Sequence, residues 1–176
     1  KEFQDFCKWM KEEADKWQDK AAQTLDLIDQ YNAQRIDAQD AFDKGDTKRR
    51  ADGHFENKGL DTMLLVALKI HSHGTDPAEL SDQEARELVQ WALDNPGLVN
   101  AGMADVYRME QAVAEVLAHY DLQGLQKEIE NTMNHPGWDD ATKQAKIEEI
   151  MDGVDRDIIQ EMYDAGVSED LIKEVL

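Results

Sequence analysis

From Phe3 to Phe42 the chain sets a residue of one seam every three or four positions: Phe3, Cys7, Met10, Ala14, Trp17, Ala21, Thr24, Ile28, Tyr31, Arg35, Ala38, Phe42. That spacing is the signature of one helix with an apolar face. Neither Gly nor Pro interrupts it before Gly45. At about 1.5 Å per residue such a helix runs roughly 60 Å, against a mean helix of about 11–12 residues. It exceeds what a small domain covers, so its seam calls for a partner helix, a second copy or a larger assembly. Ala14, Ala21, Thr24 and Ala38 dilute the seam, which favours close packing against other helices over a free-standing zipper. The large residues Phe3, Phe6, Met10, Trp17, Ile28, Tyr31 and Phe42 are the expected partner-binding set.

Beyond Gly45 the pattern breaks into shorter pieces. Asp46–Gly59 is polar, holds Lys48-Arg49-Arg50 and reads as a mobile connector. A second helix is expected from about Asp61 to His71, apolar nearly all round and therefore central. Asp76-Pro77-Ala78-Glu79 and Ser81-Asp82-Gln83-Glu84 both read as capping boxes. The second opens a helix to about Asp94, which Asn95-Pro96-Gly97 ends. Further helices are expected over about Asn100–Tyr120 and Leu122–Met133, continuous or separate, and over about Asp139–Ala165. Gly166 would close the last of these, and Ser168 would cap a final helix. Nothing reads as a strand. The fold class is all-α, divided into a docking arm at 1–43, a connector at 44–59 and a helical bundle at 60–176. Asn95–Ala101 and His135–Ala141 share a Pro-Gly turn 40 residues apart. Two copies are too few for a solenoid, and two helical hairpins with similar turns is the better reading.

Charge narrows the partners. With 39 acids against 19 bases the net charge is −20, which opposes direct contact with nucleic acid or an anionic membrane. Residues 121–176 hold 15 acids and 5 bases, the densest negative stretch. Glu148, Glu149, Asp152, Asp155, Asp157 and Glu161 form the expected acidic surface there. Carboxylates spaced along a rigid helix can imitate a phosphate backbone. Small, very acidic proteins that block restriction or CRISPR enzymes work in this way, and this chain is similar to them in charge alone. Ordinary solubility is the more common reason for an acidic face. The bases at Lys44, Lys48, Arg49, Arg50 and Lys58 are too few for a nucleic-acid site, and pairing with the chain's own acids is expected.

Motifs for chemistry are sparse. His71 and His73 flank a helix end, with His54, Asp61 and Asp76 as conceivable companions for a divalent metal, yet no HExxH or CxxC accompanies them. Glu84–Glu87 and Glu149–Asp152 resemble the paired carboxylates of all-α nucleotide pyrophosphatases, but 62 residues separate them, too many for that pattern. Asp52-Gly53 and Asp152-Gly153 lack the alternating ligands of a calcium loop. No phosphate-binding glycine motif or nucleophile elbow occurs. The lone Cys7 lies on the seam, where a buried thiol is expected. No cofactor is implied, and no motif names a family.

No apolar run approaches the length of a membrane span, and no signal peptide is legible. The chain opens on Lys1 without an initiator Met, as a processed or partial chain does. The expectation is a soluble, cytoplasmic, non-enzymatic helical protein that docks on a partner, a basic one included, through its apolar seam; self-association or a larger assembly fits as well. The alternative is an acidic inhibitor or nucleic-acid mimic that captures a basic protein. A second alternative is a metal-dependent enzyme centred on His71 and His73.

Overall fold

The computed structural model describes residues 2–120 and 122–176. It is all-α, with α1 at Glu2–Asp43, α2 at Lys58–His71, α3 at Asp82–Asp94, α4 at Pro96–His119, α5 at Leu122–Met133, α6 at Asp140–Asp164 and α7 at Glu169–Val175. A single 3₁₀ turn covers Pro77–Glu79. Among the described residues the sole extended pairing is an isolated bridge between Arg49 and Phe55, and no helix is long and apolar enough to cross a membrane.

The long first helix is present as one element of 42 residues. It stops where the sequence places a glycine. Gly45 takes a φ of +77°, its N–H donates to Phe42 O at 3.1 Å, and the Asp46 N–H reaches back to Ala41 O at 2.9 Å. Those two bonds satisfy carbonyls that the helix end would otherwise leave bare. Gly166 ends α6 in the same way, its N–H donating to Tyr163 O and the Val167 N–H to Met162 O, both at 3.0 Å.

Two compact units divide the chain, one formed by residues 1–18 and 109–176, the other by 19–108. The expected arm, connector and bundle is therefore not the division that the contacts give. Both α1 and α4 contribute to each unit.

In the unit of residues 19–108, α2 is the centre. Leu60, Met63, Leu64, Val66, Ala67 and Leu68 are all buried, the outcome its all-round apolar sequence calls for. Tyr31 and Ala38 of α1, and Ala85, Val89 and Ala92 of α3, close the core around it. The stretch expected to be a mobile connector is a tight hairpin within this unit. Arg50 N–H donates to His54 O at 2.7 Å and Glu56 N–H to Lys48 O at 2.9 Å, while Phe55 drops into the core at 3% exposure. Reading polarity alone missed that single buried aromatic. Asn57 then caps α2, accepting the Leu60 N–H at 3.0 Å, so the helix starts at Lys58, earlier than expected.

Two other differences are local. Asn95-Pro96-Gly97 ends α3 but also begins α4: the Asn95 N–H closes on Trp91 O, and Asn95 O accepts the Val99 N–H at 2.9 Å. Pro96 occupies the first helical position, where its missing N–H costs nothing. The related tripeptide His135-Pro136-Gly137 lies instead in the turn before α6, so the two sequence echoes have different structures. Asp76 accepts the Ala78 N–H at 2.9 Å, but the element is one 3₁₀ turn, and no capping box forms with Glu79. At Ser81 the box is complete: Glu84 N–H to Ser81 Oγ and Ser81 N–H to Glu84 Oε1, both 3.1 Å.

In the other unit, Val154, Ile158 and Met162 of α6 meet Leu171, Ile172 and Val175 of α7 in one core, with Met10 and Trp17 of α1 in the same cluster. Leu125 of α5 and Val113 and Leu117 of α4 complete it.

Candidate functional site

The seam residues come first, because the sequence assigns them to a partner. Met10, Trp17 and Tyr31 are 1%, 0% and 0% exposed. The Tyr31 hydroxyl donates to Ala92 O at 3.0 Å, and burial raises its pKa while nearby Arg35 opposes the rise. Phe3 and Phe6 pack on the core that contains Trp17, and Ile28 and Phe42 on the core that contains Tyr31. All seven are thus engaged by their own chain. The docking-arm reading is corrected on this point: helices later in the chain supply the partners that the seam requires. The most exposed of the large apolar side chains are not seam residues: Ile36 at 78% and Leu98 at 62% exposure.

The basic cluster is spent internally. Arg49 donates to Gly53 O at 3.0 Å, Pro77 O at 3.0 Å, Leu80 O at 3.2 Å and Asp82 Oδ1 at 2.7 Å, with its guanidinium above the Phe55 ring. Arg50 pairs with Asp52 at 2.6 Å and Lys44 with Asp40 at 2.8 Å. The Asp52 carboxyl is pulled down to about 2, first by the Arg50 hydrogen bond and then by the His54 N–H.

The histidines do not converge. His71 meets Trp91 edge-on at 4.0 Å between ring centroids. His54 Nδ1 lies 3.0 Å from Asp61, whose other oxygen accepts the Phe55 N–H at 3.0 Å. That pair fastens the hairpin to α2. Among the described residues no three His, Cys, Asp or Glu side chains are grouped to hold a metal ion. Burial pushes the Cys7 thiol up, away from the thiolate a nucleophile needs.

The acidic surface is where the sequence places it. Glu148, Glu149, Asp152, Asp155, Asp157 and Glu161 are all exposed on α6, on the surfaces that flank the buried Val154, Ile158 and Met162. They form two stripes. Glu148, Asp152 and Asp155 follow one another at steps of four and three, within about 60° round the helix. Glu149, Asp157 and Glu161 instead line an open cleft of about 820 Å³ between α5 and α6, facing Glu128 of α5. Lys146 and Arg156 share its rim, and Lys146 already holds Glu149 at 3.4 Å. Leu125, Ile150 and Val154 supply apolar lining, with Gly124 on one helix and Gly153 on the other. Among the described residues Asp152, Asp155, Asp157 and Glu161 make no ion pair.

Sequence reasoning missed this cleft. The available signal was a glycine inside each of two helical patterns, a costly choice without a turn to justify it. Comparison with known proteins adds no assignment: no family model, no curated protein and no solved structure matches the chain.

Proposed function

We propose that this chain is a non-enzymatic helical interaction protein that binds the basic surface of a protein partner through the carboxylates of α6. The supporting observation is the contrast between two groups of residues. The apolar seam is consumed by the chain's own cores, whereas Asp152, Asp155, Asp157 and Glu161 are exposed and without ion pairs among the described residues. The unit that bears them holds 22 of the 39 acids and only 9 of the 19 bases, a net charge of −13. Such a field accelerates the approach of a cationic partner and rejects anionic ones.

Spacing favours a basic protein surface in general over a channel shaped for nucleic acid. Along the outer stripe, Glu148 to Asp152 rises about 6 Å and Asp152 to Asp155 about 4.5 Å. A nucleic-acid strand carries one phosphate per roughly 3.4 Å of duplex axis. The stripe therefore matches a polyanion in sign and is sparser in charge.

The test is capture of partners from the native host by the intact chain, washed at low and at high salt. Basic proteins should be retained at low salt and released near 1 M, where the screening length falls to about 3 Å. Neutralising the six acids together (E148Q, E149Q, D152N, D155N, D157N, E161Q) should abolish the capture. Retention indifferent to both salt and substitution would sink the proposal.

A further inference from the structure

We infer that the cleft between α5 and α6 is a receiving groove for a cationic amphipathic helix of the partner, with an apolar side chain of that helix seated over Gly153. This rests on the reading above and names the place and the chemistry of the contact. The starting observation is Gly153. It lies inside α6, where glycine costs about 1 kcal/mol relative to alanine. Its backbone is not in the left-handed region, and a Cβ built there meets no atom within 4 Å. Neither conformation nor packing inside this chain calls for a glycine. What the missing side chain provides is open space in the lining of the cleft.

The lining says what fits that space. Ile150 is half-buried and, with the exposed edges of the core residues Leu125 and Val154 beneath it, gives a small apolar patch suited to one aliphatic side chain. Around it stand Glu128, Glu149, Asp157 and Glu161 against Lys146 and Arg156, an excess of two negative charges before the Lys146–Glu149 pair is considered. An apolar floor inside a carboxylate rim complements a helix with a leucine-like anchor and flanking lysine or arginine. An acidic helix would bring like charges against the rim, and a purely polar one would leave the floor wet.

The test uses the full chain and a synthetic probe, a helix of about 18 residues, or five turns, made of Leu at i, i+3, i+4 and i+7 with Lys elsewhere. Affinity is read by fluorescence anisotropy at fixed salt. Gly153→Leu fills the groove without altering charge and should weaken the probe by at least about tenfold, the loss expected when an anchor pocket is closed. Neutralising only the outer stripe (E148Q, D152N, D155N) should leave affinity within about threefold, as distant rim charges do. Circular dichroism confirms that Gly153→Leu remains helical. If it does not, Gly153→Ala carries the same test with a smaller loss, its Cβ having room. Wild-type affinity in the Gly153 variants, with loss on neutralising the outer stripe, overturns the groove and leaves the acidic-surface reading standing. A probe that does not bind the wild type at low salt overturns both.

Discussion

If the α1 seam is core, Trp17→Ala must damage the fold, and if it were a docking surface the same change would leave the free chain nearly untouched. Trp17 is 0% exposed and belongs to the cluster with Met10, Leu117, Val154, Ile158 and Met162. Removing a buried Trp or Phe side chain costs about 3–5 kcal/mol, because lost transfer energy and an incompletely collapsed cavity add. Domains of ordinary stability have about 5–15 kcal/mol in total, so a large share of the margin goes. At roughly 2–4 °C per kcal/mol for a chain of this size, the melting temperature should fall by about 6–20 °C. Urea denaturation followed at 222 nm gives the free energy directly. Ile36→Ala on the same helix, at 78% exposure, is the internal control and should stay within about 0.5 kcal/mol of wild type. A Trp17→Ala loss below about 1 kcal/mol, similar to that control, would refute the assignment of the seam to the core.

Three more outcomes follow from the unit of residues 19–108. Tyr31→Phe removes the hydroxyl that donates to Ala92 O while keeping the ring, and should cost about 1 kcal/mol in the same urea assay; an unchanged midpoint would show that the bond contributes nothing. Gly53→Ala forces a side chain onto a φ of +87° and drives its Cβ into the Pro77 carbonyl; the conformation alone costs about 1–3 kcal/mol, and the clash with backbone adds to it, so a variant as stable as wild type would contradict the hairpin geometry. Asp52, whose ordinary value is 3.8, is held at about 2, so its contribution to stability is complete above pH 3.8 and is lost as pH falls through 2. A carboxyl-carbon NMR titration should find its midpoint near 2, moving up toward 3.8 in Arg50→Ala; a wild-type midpoint near 3.8 would remove the Arg50 bond from the account.

The helices were legible because their signals are local. Period, capping residues and stop glycines act within one or two turns, and Ser81, Asp139, Ser168, Gly45 and Gly166 each do what their positions imply. The acid stripe was equally readable, since charged residues beside a buried stripe turn to solvent. Apart from a few local differences at helix ends, the failures involve residues distant in sequence. The seam of α1 gave no indication that residues after Met109 would cover Met10 and Trp17, because period reveals a face and not its occupant. The hairpin at 48–56 was obscured by its polarity, although Arg49 organises it through carbonyls some 30 residues away. The cleft depends on two helices lying side by side, which leaves only helix-interior glycines as a trace in the sequence.

A face can be acidic merely to keep a protein soluble, but solubility is served as well by net charge with both signs interspersed. The arrangement on α6 is harder to explain that way. Glu148 and Asp152, and again Asp157 and Glu161, are like charges four residues apart on one helix, while Asp152 and Asp155 are three apart. Such pairs destabilise a helix by roughly 0.2–0.5 kcal/mol each. A lysine at any of these positions would replace repulsion by attraction and keep the surface charged, as Lys146 does for Glu149. Gly153 adds a further cost of about 1 kcal/mol in the middle of the same helix. The buried side of α6 shows none of these compromises, with Val154, Ile158 and Met162 packed at 3% exposure or less. The unfavourable choices are thus confined to the two exposed surfaces, the outer stripe and the cleft. A cationic partner laid against them would turn each repulsive pair into an attractive contact, an account that solubility alone does not provide.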